Sequence, residues 1–238
     1  KGYSLKGGSM LCRNFFLIPR SNSFVYAETK DYLSSADGIL TKAWDNLTHI
    51  NKYTPWYKRM QVKNTELHKR ASKLVMKNKV WVEDGFMSSI IGKSLKDDPD
   101  KARGIAAKLI LFEEAGSFKS LLKAWRITES SVKQDDLRFG LRIAFGTGGE
   151  EGSGCEGLRE LFYKPKSYLI LGIPNIWDKG TKATECAWFM PHHINMVGAK
   201  GNKYYDKNGN TDMEKSMAKT MADREQWKKD NLMANEIL

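Results

Sequence analysis

The sequence predicts an α/β fold with a mostly parallel sheet flanked by helices. Two short apolar runs, residues 109–112 and 141–145, have the composition of strands buried on both faces. Amphipathic helical segments alternate with strand-like runs, as at residues 37–47. Both apolar runs end in polar or glycine-rich turns, and open α/β sheets bind ligands at the carboxyl ends of their strands.

The first half of the chain mixes helix and strand patterns. Residues 2–9 are glycine-rich and predict a loop that opens a helix over residues 10–18, closed by Pro19. A strand at 23–27 and the helix at 37–47 follow. Further along, three β-rich runs predict a hairpin with its turn at 77–79 and one separate strand. These runs are residues 74–76, 80–82 and 88–91.

The second half continues the alternation. Residues 120–127 predict a helix between the two buried strands, and residues 156–163 predict a short helix before Pro165. Residues 168–171 predict one more strand. The end of the chain, residues 211–237, is a charged helix with methionines four residues apart, which indicates core packing or a docking face. These methionines are Met213, Met217 and Met221.

Length and charge restrict the class of protein. With 238 residues, 41% of them apolar, the chain can bury a core. Its net charge of +11 favours a polyanionic partner such as nucleic acid, although a solvated basic face explains any single cluster equally well.

The three cysteines lie far apart without CxxC spacing, which argues against both a disulfide framework and a zinc site, even with His192 and His193 near Cys186. Neither a membrane span nor a signal peptide is evident, so the sequence predicts a soluble intracellular protein. It begins at Lys1 without methionine, as a fragment lacking its first strand would.

Two adjacent acids follow the first buried run. Glu113 and Glu114 would point in different directions if strand geometry continued through them. One carboxylate could then hold Mg²⁺ while the other orients and deprotonates the water that attacks a γ-phosphate. A surface loop that happens to be acidic is the alternative.

The glycine-rich start carries the residue types of a phosphate-binding loop. Such a loop needs backbone amides, a lysine and a metal-binding hydroxyl, here supplied by Ser9. The spacing departs from GxxxxGK[ST], and a flexible terminus is the alternative interpretation. The candidate nucleotide-binding residues are Gly2, Ser4, Lys6, Gly7, Gly8 and Ser9.

In order and spacing, these pieces resemble the large terminase subunit, the DNA-packaging ATPase of tailed bacteriophages. The resemblance extends from the 2–9 loop to about Arg224. Its most specific parts are Arg103-Gly104 before the acidic strand, the run 143–149, and residues 156–165.

The resemblance implies a P-loop NTPase-like fold that uses ATP and Mg²⁺. It makes Lys6 the Walker A lysine, Glu113 the Walker B acid that binds Mg²⁺, and Glu114 the catalytic base. The coupling motif, which links hydrolysis to DNA movement, would consist of Gly146, Thr147 and Gly148. Within it, Thr147 could form a hydrogen bond with the attacking water or the γ-phosphate. A purely structural turn is the alternative. We therefore expect Lys6, Glu113, Glu114 and Thr147 around one crevice.

The same resemblance implies an N-terminally truncated ATPase domain over residues 1–196. Residues 197–238 would be a helical linker leading toward a nuclease domain that this chain lacks. The implied partners are double-stranded DNA, further copies in a homo-oligomeric ring, the portal protein and the small terminase subunit, in the host cytoplasm and without a membrane. A helicase-like P-loop ATPase and a non-catalytic basic nucleic-acid-binding protein remain the alternatives.

Overall fold

The computed structural model describes residues 3–55, 61–96, 98–148, 154–176, 182–190, 192–195 and 204–235. The chain divides into two compact units, residues 2–187 and 188–238. The helices are α1 (Tyr3–Leu17), α2 (Lys30–Ser34), α3 (Ile39–Tyr53), α4 (Leu121–Ile127), α5 (Glu129–Val132), α6 (Glu156–Tyr163) and α7 (Met213–Asn235). The strands are β1 (Asn22–Ala27), β2 (Gln61–Asn64), β3 (His68–Lys77), β4 (Val80–Ser94), β5 (Leu109–Phe112), β6 (Lys133–Gln134), β7 (Leu137–Arg138), β8 (Leu141–Ala144), β9 (Ile173–Pro174) and β10 (Glu185–Cys186).

A six-stranded mixed sheet with the order β2-β3-β4-β1-β5-β8 forms the centre of the first unit. Strands β4, β1, β5 and β8 run parallel, and β2 and β3 add an antiparallel extension. The carboxyl ends of the four parallel strands therefore share one edge. This architecture confirms the predicted α/β fold with a mostly parallel sheet.

Helices cover both faces of the sheet. Strand β5 is buried along its whole length and alternates between the two layers. Leu109 and Leu111 pack with α1 and α3, whereas Ile110 and Phe112 pack with α4 and α6. Burying each side chain of this size stabilises the fold by about 1.5–3 kcal/mol. Strand β5 is thus packed on both faces up to the residue where the acids begin.

Several predicted elements require correction. Residues 88–91 are not a separate strand but continue β4, which is fifteen residues long. Residues 168–171 are not a strand, because Tyr168 ends the 3₁₀ helix Pro165–Tyr168 and Leu169 has a left-handed backbone (φ 56°). The domain boundary predicted after residue 196 lies outside the described residues.

Beyond the sheet, β3 and β4 continue as a two-stranded hairpin. Asn78 and Lys79 both have positive φ, 50° and 63°, which gives the primed turn that matches the twist of a hairpin. The predicted turn at 77–79 is therefore correct. Four apolar side chains near the tip are each more than half exposed: Leu74, Met76, Val80 and Trp81.

The second unit contains α7 and the 3₁₀ helix His192–Asn195, which contact each other. Thr211 donates its hydroxyl to the carbonyl of Ile194, and Ser216 is fully buried. The methionines predicted to share a face of this helix are exposed by 44%, 43% and 63% at 213, 217 and 221. None of the described helices has the length and apolarity that a membrane crossing requires.

Candidate active site

The first turn of α1 lies over the carboxyl end of β5. Ser4 donates its hydroxyl to Glu113 Oε1 at 2.6 Å. Beside it, the Tyr3 ring lies 4.6 Å from that of Phe145, which directly follows β8. A helix N-terminus, with its free amides and partial positive charge, thus faces a carboxylate and two parallel strand ends.

Glu113 is buried, with 4% of its surface exposed. Its backbone amide extends the sheet by donating to the carbonyl of Tyr26. Burial raises the pKa of the carboxyl group to about 7; the Ser4 hydrogen bond and the charge of Lys42 oppose the rise, and the charge of Glu114 adds to it. Within the described part of the chain, Oε2 of Glu113 has no hydrogen-bond partner. A buried carboxylate oxygen without a partner is energetically unfavourable unless a cation or a hydrogen-bond donor pairs with it.

Glu114 takes a different direction from its neighbour. It is half-buried and has a left-handed backbone (φ 47°, ψ 49°), a conformation that a glutamate adopts at a cost in free energy. Its carbonyl accepts hydrogen bonds from the amide and the hydroxyl of Ser117, which hold the turn in place. One acid therefore enters the interior while the next remains accessible at the surface.

The turn after β8 is packed backbone to backbone against the acidic turn. The amide of Ala115 donates to the carbonyl of Phe145. A Cβ atom on Gly146 would lie 2.7 Å from the Ala115 nitrogen, and one on Gly116 would lie 1.7 Å from the Thr147 carbonyl oxygen. Thr147 itself is exposed, and no atom of the described residues would lie within 4 Å of a Cβ on Gly148. The structure thus brings Glu113, Glu114 and Thr147 to one edge.

The predicted glycine-rich loop is wrong for its described residues, because they lie in α1. Gly7 and Gly8 are buried where α1 crosses α3, and a Cβ on them would meet Ile39 Cδ1 at 2.9 Å and the Ala43 nitrogen at 3.3 Å. These glycines permit close helix packing, so their backbone does not wrap a phosphate. Gly2 lies outside the described residues.

Lys6 and Ser9 do not lie on the face of α1 that meets Glu113. Lys6 is two residues beyond Ser4, roughly 200° around the helix, and its ammonium group lies 5.7 Å from the Tyr3 ring. Ser9 donates to the carbonyl of Leu5 and lines a groove of about 860 Å³ between α1 and α3, which Glu113 does not line. The hydroxyl that reaches the acid is that of Ser4.

Lys42 in α3 is the residue that sequence reasoning missed. Its charge acts on the Glu113 carboxyl group, yet it lies about 70 residues earlier in the chain. Its sequence signal is its place in the first turn of α3, which follows β1 and the short helix α2.

The donor set suits a magnesium nucleotide. Glu113 offers a carboxylate oxygen without a partner, and Ser4 offers a hydroxyl beside it. Mg²⁺ is commonly held by one or two carboxylates together with water and substrate phosphates. In the ranges that the structure describes, no three His, Cys, Asp or Glu side chains form a metal cluster. The described residues therefore do not form a metal site made of protein ligands alone.

Fold and site together define a class: an α/β domain whose parallel sheet presents acids at its carboxyl edge, beneath the N-terminus of a helix. The fold is similar to that of the ATPase domain of a phage large terminase. Over 79% of this chain and 68% of the other, it matches an arginine-to-alanine mutant of the Thermus phage P74-26 large terminase ATPase domain, with a TM-score of 0.53 and 15% identity.

The unmutated domain of the same phage protein gives a TM-score of 0.46 and 19% identity, over 62% of this chain and 56% of that one. No protein-family model and no curated protein sequence matches the chain. The likeness is therefore one of fold.

Proposed function

We propose that this chain is the ATP-hydrolysing motor domain of a viral DNA-packaging terminase, which moves double-stranded DNA into a procapsid. The observation that carries the proposal is the contact between Ser4 of α1 and the buried Glu113, beside an accessible Glu114. The terminase-like fold supports it.

In this proposal, Glu113 and Ser4 are the residues that would hold Mg²⁺, since among the described residues one carboxylate oxygen of Glu113 has no hydrogen-bond partner and the Ser4 hydroxyl lies beside the other. When bound, the metal neutralises charge on the phosphates and polarises them. Glu113 keeps one oxygen fixed by Ser4, so the other is held in a single direction. Because its side chain is sequestered from water, the carboxylate gains from any cation that pairs with it.

Glu114 is the general base of the proposal. Its strained turn is packed against the turn that bears Thr147. In the proposal its half-buried carboxylate orients a water molecule and takes its proton. Thr147 supplies a hydroxyl at the tip of the neighbouring turn. Since the two turns interlock, displacement of one after phosphate release displaces the other, which would link hydrolysis to DNA movement through Gly146, Thr147 and Gly148.

The partners follow from the same proposal. The net charge of +11 suits the phosphate backbone of duplex DNA without sequence readout. The motor would work as a ring of copies with a portal protein and a small terminase subunit, in the host cytoplasm. The nucleotide-binding role proposed from sequence for Lys6, Gly7, Gly8 and Ser9 gains no support from their positions in α1.

The decisive test is phosphate release from ATP by wild type and by Glu114→Gln, with and without linear duplex DNA. We expect DNA-stimulated turnover in the wild type and a loss of at least about 100-fold in the variant, with binding of a fluorescent ATP analogue retained. Glu160→Gln, which alters a surface acid of α6, is the matched control.

Three results would change the conclusion. Absence of ATP binding and hydrolysis under every DNA condition would refute the motor. Unchanged turnover in Glu114→Gln would refute the assignment of the base. Stimulation by single-stranded rather than duplex DNA would favour the helicase-like ATPase.

A further inference from the structure

Helices α1 and α3 run side by side and in the same direction from the edge that carries Glu113. Gly7 meets Ile39, Gly8 meets Ala43, and Cys12 donates its thiol to the carbonyl of Ala43 at 3.3 Å. The first turn of α3 therefore stands next to the first turns of α1. Lys42 belongs to that turn of α3.

The hydrogen bond recorded for the ammonium group of Lys42 is to an uncharged acceptor. The group donates to the backbone carbonyl of Asp37, a neutral acceptor, and no carboxylate lies within ion-pair distance of it among the residues that the structure describes. A charged phosphate oxygen is a stronger acceptor than a carbonyl, so Lys42 can exchange one for the other.

A magnesium nucleotide at Glu113 would need such a cation. The complex of Mg²⁺ with a nucleoside triphosphate remains negatively charged, and the Glu113 carboxylate adds a further negative charge beside it. In a buried site this excess is costly unless positive groups face it. Lys6 lies roughly 200° around α1 from Ser4, whereas the Lys42 ammonium group returns to the start of α3, beside the first turns of α1.

We propose that Lys42 is a phosphate-binding residue. On nucleotide binding, its ammonium group moves from the Asp37 carbonyl to the terminal phosphate of the nucleotide held at Glu113. The inference rests on the proposed function and adds to it a residue that recognises the terminal phosphate. It predicts that Lys42 distinguishes ATP from ADP. If Lys42 only stabilised the start of α3, its replacement would change the affinities for ATP and ADP to the same extent.

The test measures binding of fluorescent ATP and ADP analogues in a Glu114→Gln background, which preserves the ATP. Lys42→Ala should weaken ATP binding about 10- to 100-fold and ADP binding less than about 3-fold, as expected for the loss of one charge-assisted hydrogen bond. Lys42→Arg keeps the charge and should retain most of the ATP affinity. Lys52→Ala, near the other end of α3, should leave both affinities unchanged.

A second variant separates binding from folding. Lys42→Gln keeps a donor for the Asp37 carbonyl but has no charge, so it should fold as the wild type does and still lose affinity for ATP. Equal losses of affinity for ATP and for ADP in both variants, or no loss at all, would overturn the role of Lys42 while leaving the ATPase intact. Failure of the parent protein to bind either nucleotide would remove the proposed function together with this inference.

Discussion

Gly116 and the carbonyl group of Thr147 leave no room between them for even one methyl group, since a Cβ on Gly116 would lie 1.7 Å from the Thr147 oxygen. The turn that bears both acids is thus fitted directly against the turn after β8. Movement of either turn toward the other would meet backbone atoms directly, so this contact joins the acids to the outer strand of the parallel segment.

Replacing Gly116 with alanine should therefore separate the two turns. We expect a loss of about 1–3 kcal/mol in the free energy of unfolding and a larger proportional loss of ATP turnover than of ATP binding. Urea denaturation and phosphate release measure the two effects. Gly148→Ala, where no described atom lies within 4 Å, should leave the free energy of unfolding unchanged within about 0.5 kcal/mol; a matching loss there would show that the contact is not the cause.

The variant Ser4→Ala should show which hydroxyl group acts together with Glu113 at the site. The change leaves both oxygens of a buried carboxyl group without a protein donor, at a cost of about 1–3 kcal/mol in unfolding free energy at pH 8. It should also raise the Mg²⁺ concentration needed for ATP hydrolysis. Ser9→Ala removes only a hydrogen bond within α1 and should change neither quantity; a stronger effect of Ser9 on the Mg²⁺ requirement would restore the role predicted from sequence.

Glu113 should make the metal-free protein less stable as the pH rises. Burial raises its pKa from 4.5 to about 7, so the folded state binds a proton more tightly than the unfolded state does. This contribution is fully present below pH 4.5 and is lost as the pH passes through about 7, by up to about 3 kcal/mol. Urea unfolding of wild type and Glu113→Gln between pH 4.5 and 8, without Mg²⁺, measures it. Parallel curves for the two proteins would contradict a raised pKa.

The ion pair of Arg142 with Glu129 should be important for stability. Arg142 of β8 has a side chain only 2% exposed, and burial lowers its pKa to about 10 although Glu129 opposes the shift. Glu129→Gln would leave a buried guanidinium without its carboxylate, at a cost of about 3 kcal/mol in unfolding free energy. Lys133→Ala removes an exposed partner of the same acid and should cost less than about 1 kcal/mol. Equal losses would show that burial of Arg142 is not what matters.

The sequence predicted the parts of the fold in which local pattern and tertiary environment agree. The run 109–112 is wholly apolar, and such a run fits only a strand covered on both faces, as β5 is. The helix over 156–163 was predicted at its observed bounds, since it ends before a proline. The acids after β5 could be placed at the sheet edge for the same reason.

Where the prediction was wrong, long-range packing outweighed local composition. Glycines 7 and 8 suggested a loop, but their missing side chains let α3 approach α1, a need that arises more than thirty residues away. The bond between Ser4 and Glu113 spans 109 positions, and the charge of Lys42, in a third element, acts on the same acid. No spacing rule within one sequence reveals such a meeting.

The hairpin of β3 and β4 has a practical consequence. Its tip carries lysines at 77 and 79 on a solvent-facing turn. This turn is distant from the part of β4 that pairs with β1. Trypsin should therefore nick the chain there first, and the two halves would stay associated through the remaining strands. A dye attached at the same tip would report the approach of another molecule while leaving the catalytic edge untouched.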